Sequence, residues 1–500
     1  MNIEDKIKEL YGENYAGRDL NSIELYASWY EGYVKNFHDY RYYNGENYLE
    51  LRKKSLEMPK KIAESWADLL INEKCDIKIN ENAKKNLDKL FDNTKFWTKA
   101  NQAVEIGFAL SYAAILGEIN SNKEMNFVLL SAKNIIPLKV ENDNVIDCAF
   151  YREFKDFTRL TIHQKFEKGY IINSYDFNNK TGKEMASNEF ATTIQYPLFM
   201  LIKPNIINNN RSHIYNYGIS IIGNSIDTLK ACDNKYDAFD FEFIAGKKRL
   251  NVSAEAVKTI ISTEGGKTVR TRTFDPQNSI YFNLGENKSG ENTVTESGGE
   301  LRSQSFIDSI NFELSILSKK SGLGYGYFKF MPTGEVTATQ VISENSDLFR
   351  TLKKHEILIR DEMISFVKAI IDFSAKYCDL KIGSYDDDEI DIIFDDSIIE
   401  DKEAEKAADR AEVDSGLMSY VDYAQKWKGM SEEDAKKEFS YLDITKKANK
   451  IMPLLNDKLI TPELALKFIY GENFDKKLLD YLEKDDLNIE DGEFDDEKNK

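Results

Sequence analysis

The sequence predicts an α+β fold in which helices predominate. Three observations carry this prediction: a helix-periodic stretch that meets no Gly or Pro before Gly383, a region of short β-rich runs at 126–196, and two amphipathic segments that flank a Thr-, Val- and Gly-rich insert. The chain has 500 residues. This length is too great for one hydrophobic core and favours about two to four domains.

The N-terminal region reads as helices followed by strands. One helix is indicated by Leu20, Ile23, Tyr26 and Tyr30; Pro59 stands at the first position of a second, with Ile62, Trp66, Leu69 and Leu70. A third is indicated by Phe96, Val104, Phe108 and Ala109, and we expect Gly107 and Gly117 to loosen it. The runs from 126 to 196 are typical of an antiparallel meander.

Two further helices enclose the insert. Ser225 is expected to cap a helix over 226–244, and a second helix covers 303–319. Between them, turn signals stand at Gly265-Gly266, at Asp275-Pro276 and at Gly285-Glu286-Asn287. A β-containing insert between two helices fits this pattern, and a helical hairpin with a long decorated loop fits it equally.

A glycine-rich loop leads into the longest helix. Gly322, Gly324 and Gly326 alternate with larger residues, and Thr337 with Gln340 has the spacing of a capping box. The helix spans about 38 residues, or roughly 55 Å at 1.5 Å per residue. Its apolar face contains Val341, Leu348, Leu352, Ile359, Met363, Phe366, Ile370 and Phe373.

Residues 402 to about 484 again read as charged helices, with Ser431 and Asp434 forming a cap. The acidic end of the chain is expected to be disordered.

Composition limits the possible functions. With 86 acidic and 67 basic residues the net charge is −19, which disfavours wrapping nucleic acid around a basic surface. The four cysteines and four histidines show neither disulfide nor metal-ligand spacing, so we expect no metal site and a reducing compartment. We find neither a secretory signal nor an apolar run of membrane-spanning length.

Two motifs imitate catalytic sites. Gly266-Lys267-Thr268 resembles the end of a phosphate-binding loop, but Ile261 occupies the position that requires the first glycine. The acidic run 385–401 suggests Mg²⁺ binding, yet Ile390, Ile392 and Ile393 interrupt it as an exposed strand would. The glycine repeat at 322–326 follows a helix instead of a strand, so it is a weak nucleotide signature.

Two segments carry a family resemblance. TGEVTATQVISENSDLFRT and EMPKKIAESWADLLINEKCDIKI resemble portal proteins of tailed bacteriophages, in the group common in phages of Gram-positive hosts. The resemblance implies a portal fold divided in chain order: a wing (1–224), a first stem helix (225–245), a clip (246–302), a second stem helix (303–321), a tunnel loop (322–336), a long wing helix with an acidic strand (337–400), a helical crown (401–484) and an acidic disordered tail (485–500).

The resemblance also implies a function. The chain would form a dodecameric ring at one capsid vertex, with no cofactor and no catalytic residues. Double-stranded DNA would pass through it past Lys329, Phe330, Met331, Pro332, Thr333, Gly334 and Glu335, whereas Tyr325, Tyr327 and Phe328 would bury against neighbouring subunits. Expected partners are the terminase large subunit, which is the ATPase motor, a head–tail connector, and major capsid and scaffolding proteins. The chain would be part of the virion and assembled in the host bacterial cytoplasm, away from any membrane.

Two alternatives stay open from the sequence. The first is another ring-forming virion protein, such as a connector or a baseplate component. The second is a Mg²⁺-dependent nucleic-acid enzyme that uses the acidic run.

Overall fold

A computed structural model describes residues 3–470 apart from several short segments. The chain divides into two compact units, Met1–Asp395 and Asp396–Lys500. The predicted turns at 265–266, 275–276, 285–287 and 416 and the predicted tail at 485–500 lie outside the described residues. The segments left out are 14, 44–45, 73–74, 143, 210–217, 248, 254–262, 265–266, 269–279, 284–293, 298, 330–337, 387–389, 395–401 and 416.

The first unit begins with helices and one small hairpin. The elements are α1 (Ile3–Tyr11), α2 (Leu20–Tyr30), α3 (Lys35–His38), β1 (Asp39–Tyr43), β2 (Tyr48–Arg52), α4 (Met58–Leu70), β3 (Asp76–Lys78), α5 (Glu81–Thr94) and α6 (Phe96–Leu110). The three predicted helices are therefore confirmed as α2, α4 and α6. The β1–β2 hairpin was not predicted.

One glycine of α6 has the opposite role to the predicted one. A Cβ atom on Gly107 would lie 2.6 Å from the carbonyl oxygen of Ile202. Gly107 therefore allows a strand to approach the helix closely instead of loosening it. Gly117 does not belong to the helix at all, because it lies in the following strand.

Two antiparallel sheets follow. The strands are β4 (Ala113–Ile119), β5 (Met125–Ser131), β6 (Ile135–Glu141), β7 (Asn144–Glu153), β8 (Phe157–Phe166), β9 (Gly169–Asn178), β10 (Glu184–Ala191) and β11 (Phe199–Ile202). Five of them form a meander in the order β10-β9-β8-β7-β6, which confirms the prediction, and the others form a sheet in the order β11-β4-β5. Ile7 of α1 is fully buried against the meander.

Helices α7 (Ile226–Ala245) and α8 (Ser303–Lys320) pack as an antiparallel pair. Glu242 near the end of α7 pairs with Arg302 at the start of α8, and Lys235 pairs with Glu313 further along. Both helices match the prediction. Ser225 is the N-cap residue of α7, as predicted, but its hydroxyl makes no cap hydrogen bond. The Ser225 Oγ is buried and has no hydrogen-bond partner in the described part of the chain.

The insert between the pair contains strands, as predicted. They are β12 (Arg249–Ser253), β13 (Thr263–Glu264), β14 (Lys267–Thr268), β15 (Ile280–Asn283) and β16 (Val294–Ser297). Strand β12 pairs in parallel with β15 and antiparallel with β16. Lys267 lies in the β13–β14 pair and not at a helix N-terminus, so the phosphate-loop interpretation fails on context.

Helix α9 (Ala338–Tyr377) has 40 residues and confirms the predicted rod. The predicted apolar residues from Leu348 to Phe373 are buried, and Phe366 packs against Phe96 and Phe127. Strand β17 (Asp391–Ile393) then pairs with β3. Asp391 forms an ion pair with Arg360 at 2.5 Å, so this acid is neutralised within the chain.

The second unit is helical where it is described. It contains α10 (Lys402–Ser415), α11 (Tyr420–Lys428), α12 (Glu432–Asn456) and α13 (Pro462–Tyr470). The predicted cap is confirmed, because the Ser431 hydroxyl accepts a hydrogen bond from the Asp434 amide at 3.2 Å. Within the described residues of both units, no helix has the length and apolar character that a membrane span requires.

Candidate functional site at the glycine-rich loop

The loop begins with a tight helix end. The Leu323 amide donates to the Ser318 carbonyl at 3.0 Å, and the Gly322 amide donates to the Lys319 carbonyl at 3.2 Å. Gly322 has φ +81°, and Leu323 is buried. This pattern is a Schellman motif, in which a left-handed glycine satisfies the last carbonyls of the helix. The direction in which the chain leaves α8 is therefore fixed.

Trp66 of α4 contacts the end of α8 at Ser321 and Gly322. Its side chain is fully buried, and its Nε1 donates a hydrogen bond to the Ser321 carbonyl at 3.0 Å. Gly322 lies against this ring, since a Cβ there would be 3.3 Å from Trp66 Cζ2 and 2.6 Å from Thr351 Cγ2. The start of the loop is thus packed between α4 and α9 with no space for a side chain.

The loop returns to the helix that it leaves. The Phe328 amide donates to Ser318 Oγ at 3.2 Å, and the same hydroxyl donates to the Leu314 carbonyl at 2.7 Å. The Tyr327 and Phe328 rings meet edge to face at 4.9 Å. Residues 318–328 therefore form a small closed loop with its own hydrogen bonds.

The outer side of this closed loop is aromatic and basic. Tyr325 and Tyr327 are 49% and 43% exposed, and Lys329 is exposed with its Nζ 5.7 Å from the centre of the Tyr325 ring. Residues 318–329 contain three lysines and no acid in a chain of net charge −19. The segment itself is therefore positively charged within an acidic chain, and positive charge attracts anionic ligands.

A buried histidine of α9 completes the loop root. The Nδ1 atom of His355 accepts a hydrogen bond from the Asn205 amide at 3.0 Å, and the ring meets Trp66 and Phe108 edge to face at 4.8 and 4.9 Å. Burial lowers the pKa of His355 to about 3, with a smaller effect from the charge of Lys354. The ring is therefore neutral at pH 7. We call Trp66, Ser318, Ser321, Gly322 and His355 the loop root.

The predicted site residues are only partly described. Lys329 lies at the exposed end of the closed loop. The residues from Phe330 to Glu335 and the predicted cap residue Thr337 lie outside the described residues, and of Gln340 only the helical backbone is described. These residues remain predicted channel and cap positions.

The sequence interpretation missed the residues that fix the loop. It placed Trp66 on a helix face without a partner, and it gave Ser318, Ser321 and His355 no role. Trp66 and Ser321 are 255 positions apart, so no local pattern connects them. Within the described residues, no group of three or more His, Cys, Asp or Glu is arranged to hold a metal.

The chain is similar to a known protein family over most of its length. A family model described as "Phage portal protein, SPP1 Gp6-like" matches residues 17–439. No curated protein matches the chain. Among solved structures, the neck of an empty GTA particle computed with C6 symmetry is 11% identical with TM-score 0.38, and the neck of the native GTA particle computed with C12 symmetry is 10% identical with TM-score 0.39; each comparison covers 73% of this chain and 87% of the other.

A helix pair that carries a β-containing insert, a glycine-rich loop and a 40-residue helix follow one another in the order that the resemblance to phage portal proteins implies. Because the family model covers most of its length, the chain belongs to the SPP1 Gp6-like phage portal protein family. It is therefore a structural subunit of the portal ring at a capsid vertex, in a family without enzymatic activity.

Proposed function

We propose that this chain forms the channel through which the genome is packaged, retained and later ejected, and that the loop 322–336 is the part that meets double-stranded DNA. The single observation that carries the proposal is the loop itself. Its root is fixed by Trp66 and a Schellman motif, while Tyr325, Tyr327 and Lys329 point outward. A rigid base with an exposed basic end suits brief contacts with a moving phosphate backbone.

The remaining regions have roles that follow from the family. We propose that the β-containing clip (246–302), between the stem helices 225–245 and 303–321, binds the terminase large subunit during packaging and a head–tail connector afterwards. The wing (1–224 and 337–400) and crown (401–484) then meet capsid and scaffolding proteins. We propose a dodecameric ring, assembled in the host cytoplasm.

The loop is tested by shortening it. Deletion of residues from Phe328 to Thr333 is expected to leave ring assembly intact, because the stem pair and α9 pack without this segment, and to impair packaging or DNA retention. Rings are counted by electron microscopy, and packaged DNA is measured as the nuclease-resistant fraction in particles. Normal packaging together with normal retention would refute the channel role of the loop.

A charge substitution tests the same proposal with less disturbance. Lys329→Ala removes the exposed cation and is expected to change DNA retention without changing ring assembly. The matched control is Lys180→Ala, because Lys180 is also exposed but lies in the turn between β9 and β10. Equal effects of the two substitutions on retention would show that only total charge matters and not the loop.

A further inference from the structure

The glycine repeat at the start of the loop has an alternating main-chain conformation. Gly322, Gly324 and Gly326 have φ values of +81°, +85° and +88°, whereas the residues that separate them have negative φ. Main-chain N–H groups in successive residues of alternating conformation form a concave surface, and such surfaces bind anions. The repeat, which is a weak nucleotide signature by sequence, therefore has the backbone alternation on which an anion site depends.

The amides in the second half of the repeat are not used within the loop. The amides of residues 322–323 complete the end of α8, and the Phe328 amide donates to Ser318 Oγ. The amides of residues 324–327 donate to no acceptor among the described residues, although Gly324 is buried. Buried main-chain N–H groups almost always have a partner. This run of four donors therefore points to an acceptor that is not among the described residues.

A cation lies beside the same amides. A Cβ atom on Gly326 would be 2.6 Å from both Cε and Nζ of Lys329, so the lysine side chain folds back over this glycine. Within the described part of the chain, no carboxylate lies within ion-pair distance of Lys329. An ammonium group and main-chain N–H groups at one place form a donor set that suits a phosphate group, because hydrogen bonds to an ionised acceptor are short and strong.

The end of α8 is arranged so that it does not repel an anion. A helix C-terminus normally does so through its free carbonyls. Here the carbonyls of residues 317–319 accept hydrogen bonds from the amides of residues 321–323, and two lysines lie in the last turn. On α4, which packs against the start of the loop, Glu64 is paired with Lys61 at 3.0 Å. The repulsion expected from the helix end is therefore offset.

We infer that the amides of residues 324–327 and the Lys329 ammonium bind one phosphate group, which in the assembled portal is a phosphodiester of the DNA backbone. The inference rests on the proposed channel function and deepens it, since it adds the glycine repeat to the predicted contact at 329–335. Main-chain amides and a lysine recognise the phosphate and not the base. Such a contact is independent of DNA sequence, as a channel for a whole genome requires.

The first test asks whether the main-chain amides take part. Hydrogen exchange of the assembled ring is measured with inorganic phosphate and with sodium chloride at the same ionic strength. With phosphate, the amides of residues 324–327 are expected to exchange at least fivefold more slowly, while those of the turn at Lys180 stay unchanged. A site formed by the Lys329 side chain alone would not slow these amides. Equal exchange in phosphate and chloride would overturn the inference.

The second test alters the amides and the cation separately. Gly326→Ala adds a methyl group where Lys329 lies, and it is expected to weaken phosphate binding at least tenfold in phosphorus NMR titrations of the ring. Gly12→Ala is the matched control, because Gly12 also has a left-handed φ of +74° but a Cβ there meets nothing within 4 Å. Lys329→Met removes the cation without a change of backbone and is expected to weaken binding at least threefold. Binding equal to that of the control in either variant would overturn the inference.

The third test identifies the source of the phosphate group. A short DNA duplex is expected to displace inorganic phosphate from the wild-type ring, whereas the same duplex with an uncharged methylphosphonate backbone is not. Bound phosphate that the charged duplex cannot displace would overturn the assignment to DNA. If the wild-type ring binds no phosphate while deletion of the loop still impairs packaging, this inference fails and the proposed function stands. Normal packaging and retention after that deletion would overturn the proposed function instead.

Discussion

The β1–β2 hairpin is held at its base by His38, Ser55, Leu56 and Asp233, which we call the hairpin root. The hairpin root and the loop root each contain a buried histidine, but the two histidines have different partners. In both histidines, Nδ1 accepts a hydrogen bond from a main-chain amide. The donor is the Val34 amide at 2.8 Å for His38 and the Asn205 amide at 3.0 Å for His355. A ring whose Nδ1 accepts a hydrogen bond carries its hydrogen on Nε2. That atom faces the Asp233 carboxylate in His38, whereas in His355 it has no hydrogen-bond partner among the described residues.

The difference shows two ways of fixing an element. The hairpin root depends on a carboxylate with three donors, so removing that group leaves one buried donor and two part-buried donors without their acceptor. The loop root depends on close packing of Trp66, Gly322 and His355, so it is sensitive to added atoms and to charge on the histidine. The hairpin root is thus held by the hydrogen bonds of one carboxylate and the loop root by close packing, so different substitutions test the two.

The largest effect is expected at the hairpin root. Asp233→Ala leaves the buried His38 Nε2 and two part-buried donors, the Ser55 hydroxyl and the Leu56 amide, without their acceptor. At about 1–3 kcal/mol for each unsatisfied donor, we expect a loss of about 3–5 kcal/mol of unfolding free energy. Denaturant unfolding of the unassembled chain measures this loss. Asp227→Ala is the control on the same helix, because the Asp227 side chain is 94% exposed; its ion pair with Lys230 and its place in the first turn of α7 limit the expected loss to about 1 kcal/mol. If the two substitutions cost the same, the hairpin root is not held by its carboxylate.

A smaller effect is expected when an atom is added to the loop root. Gly322→Ala combines the strain of a left-handed backbone, about 1–2 kcal/mol, with overpacking against Thr351, about 1–3 kcal/mol. Gly299→Ala is the matched control, since a Cβ there meets nothing within 4 Å.

A double variant divides that cost into its two sources. Thr351→Ser removes the Cγ2 atom that a Cβ on Gly322 would meet, so adding it to Gly322→Ala should recover the packing part and leave the backbone part. Thermal unfolding of the two variants gives the difference. No recovery at all would show that backbone strain alone limits this position.

The elements that the sequence predicted are those with strong local signals. The 40-residue helix α9 and the meander of β6 to β10 follow from periodicity, and the Ser431 cap follows from a four-residue pattern. The hairpin also had a local signal that went unread: four residues that begin with Asn44-Gly45, a turn-favouring dipeptide, stand between YRYY and YLELR.

The contacts that form the hairpin root and the loop root could not be predicted from local sequence patterns. His38 and Asp233 are 195 positions apart, and Trp66 and Ser321 are 255 apart, so each pair exists only once the chain has folded. Ser225 shows the converse: it has the right type and position for a cap, yet its hydroxyl is buried without a cap bond. Local chemistry predicts which elements form, and tertiary packing decides which of their polar atoms find partners.

The smallest predicted effect concerns pH and tests the burial of His355. Burial lowers the pKa of His355 from 6.5 to about 3, so between these values the unfolded chain binds a proton that the folded chain does not. Stability from this group is therefore complete above pH 6.5 and falls as the pH falls, by about 2 kcal/mol between pH 7 and pH 5. His355→Gln keeps a hydrogen-bond acceptor for the Asn205 amide and removes the titrating group. Between pH 7 and pH 5, the unfolding free energy of this variant should therefore fall by about 2 kcal/mol less than that of the wild type. The measurement is denaturant unfolding at pH 7 and pH 5, and a parallel loss in variant and wild type would mean that the loop root tolerates a charged His355.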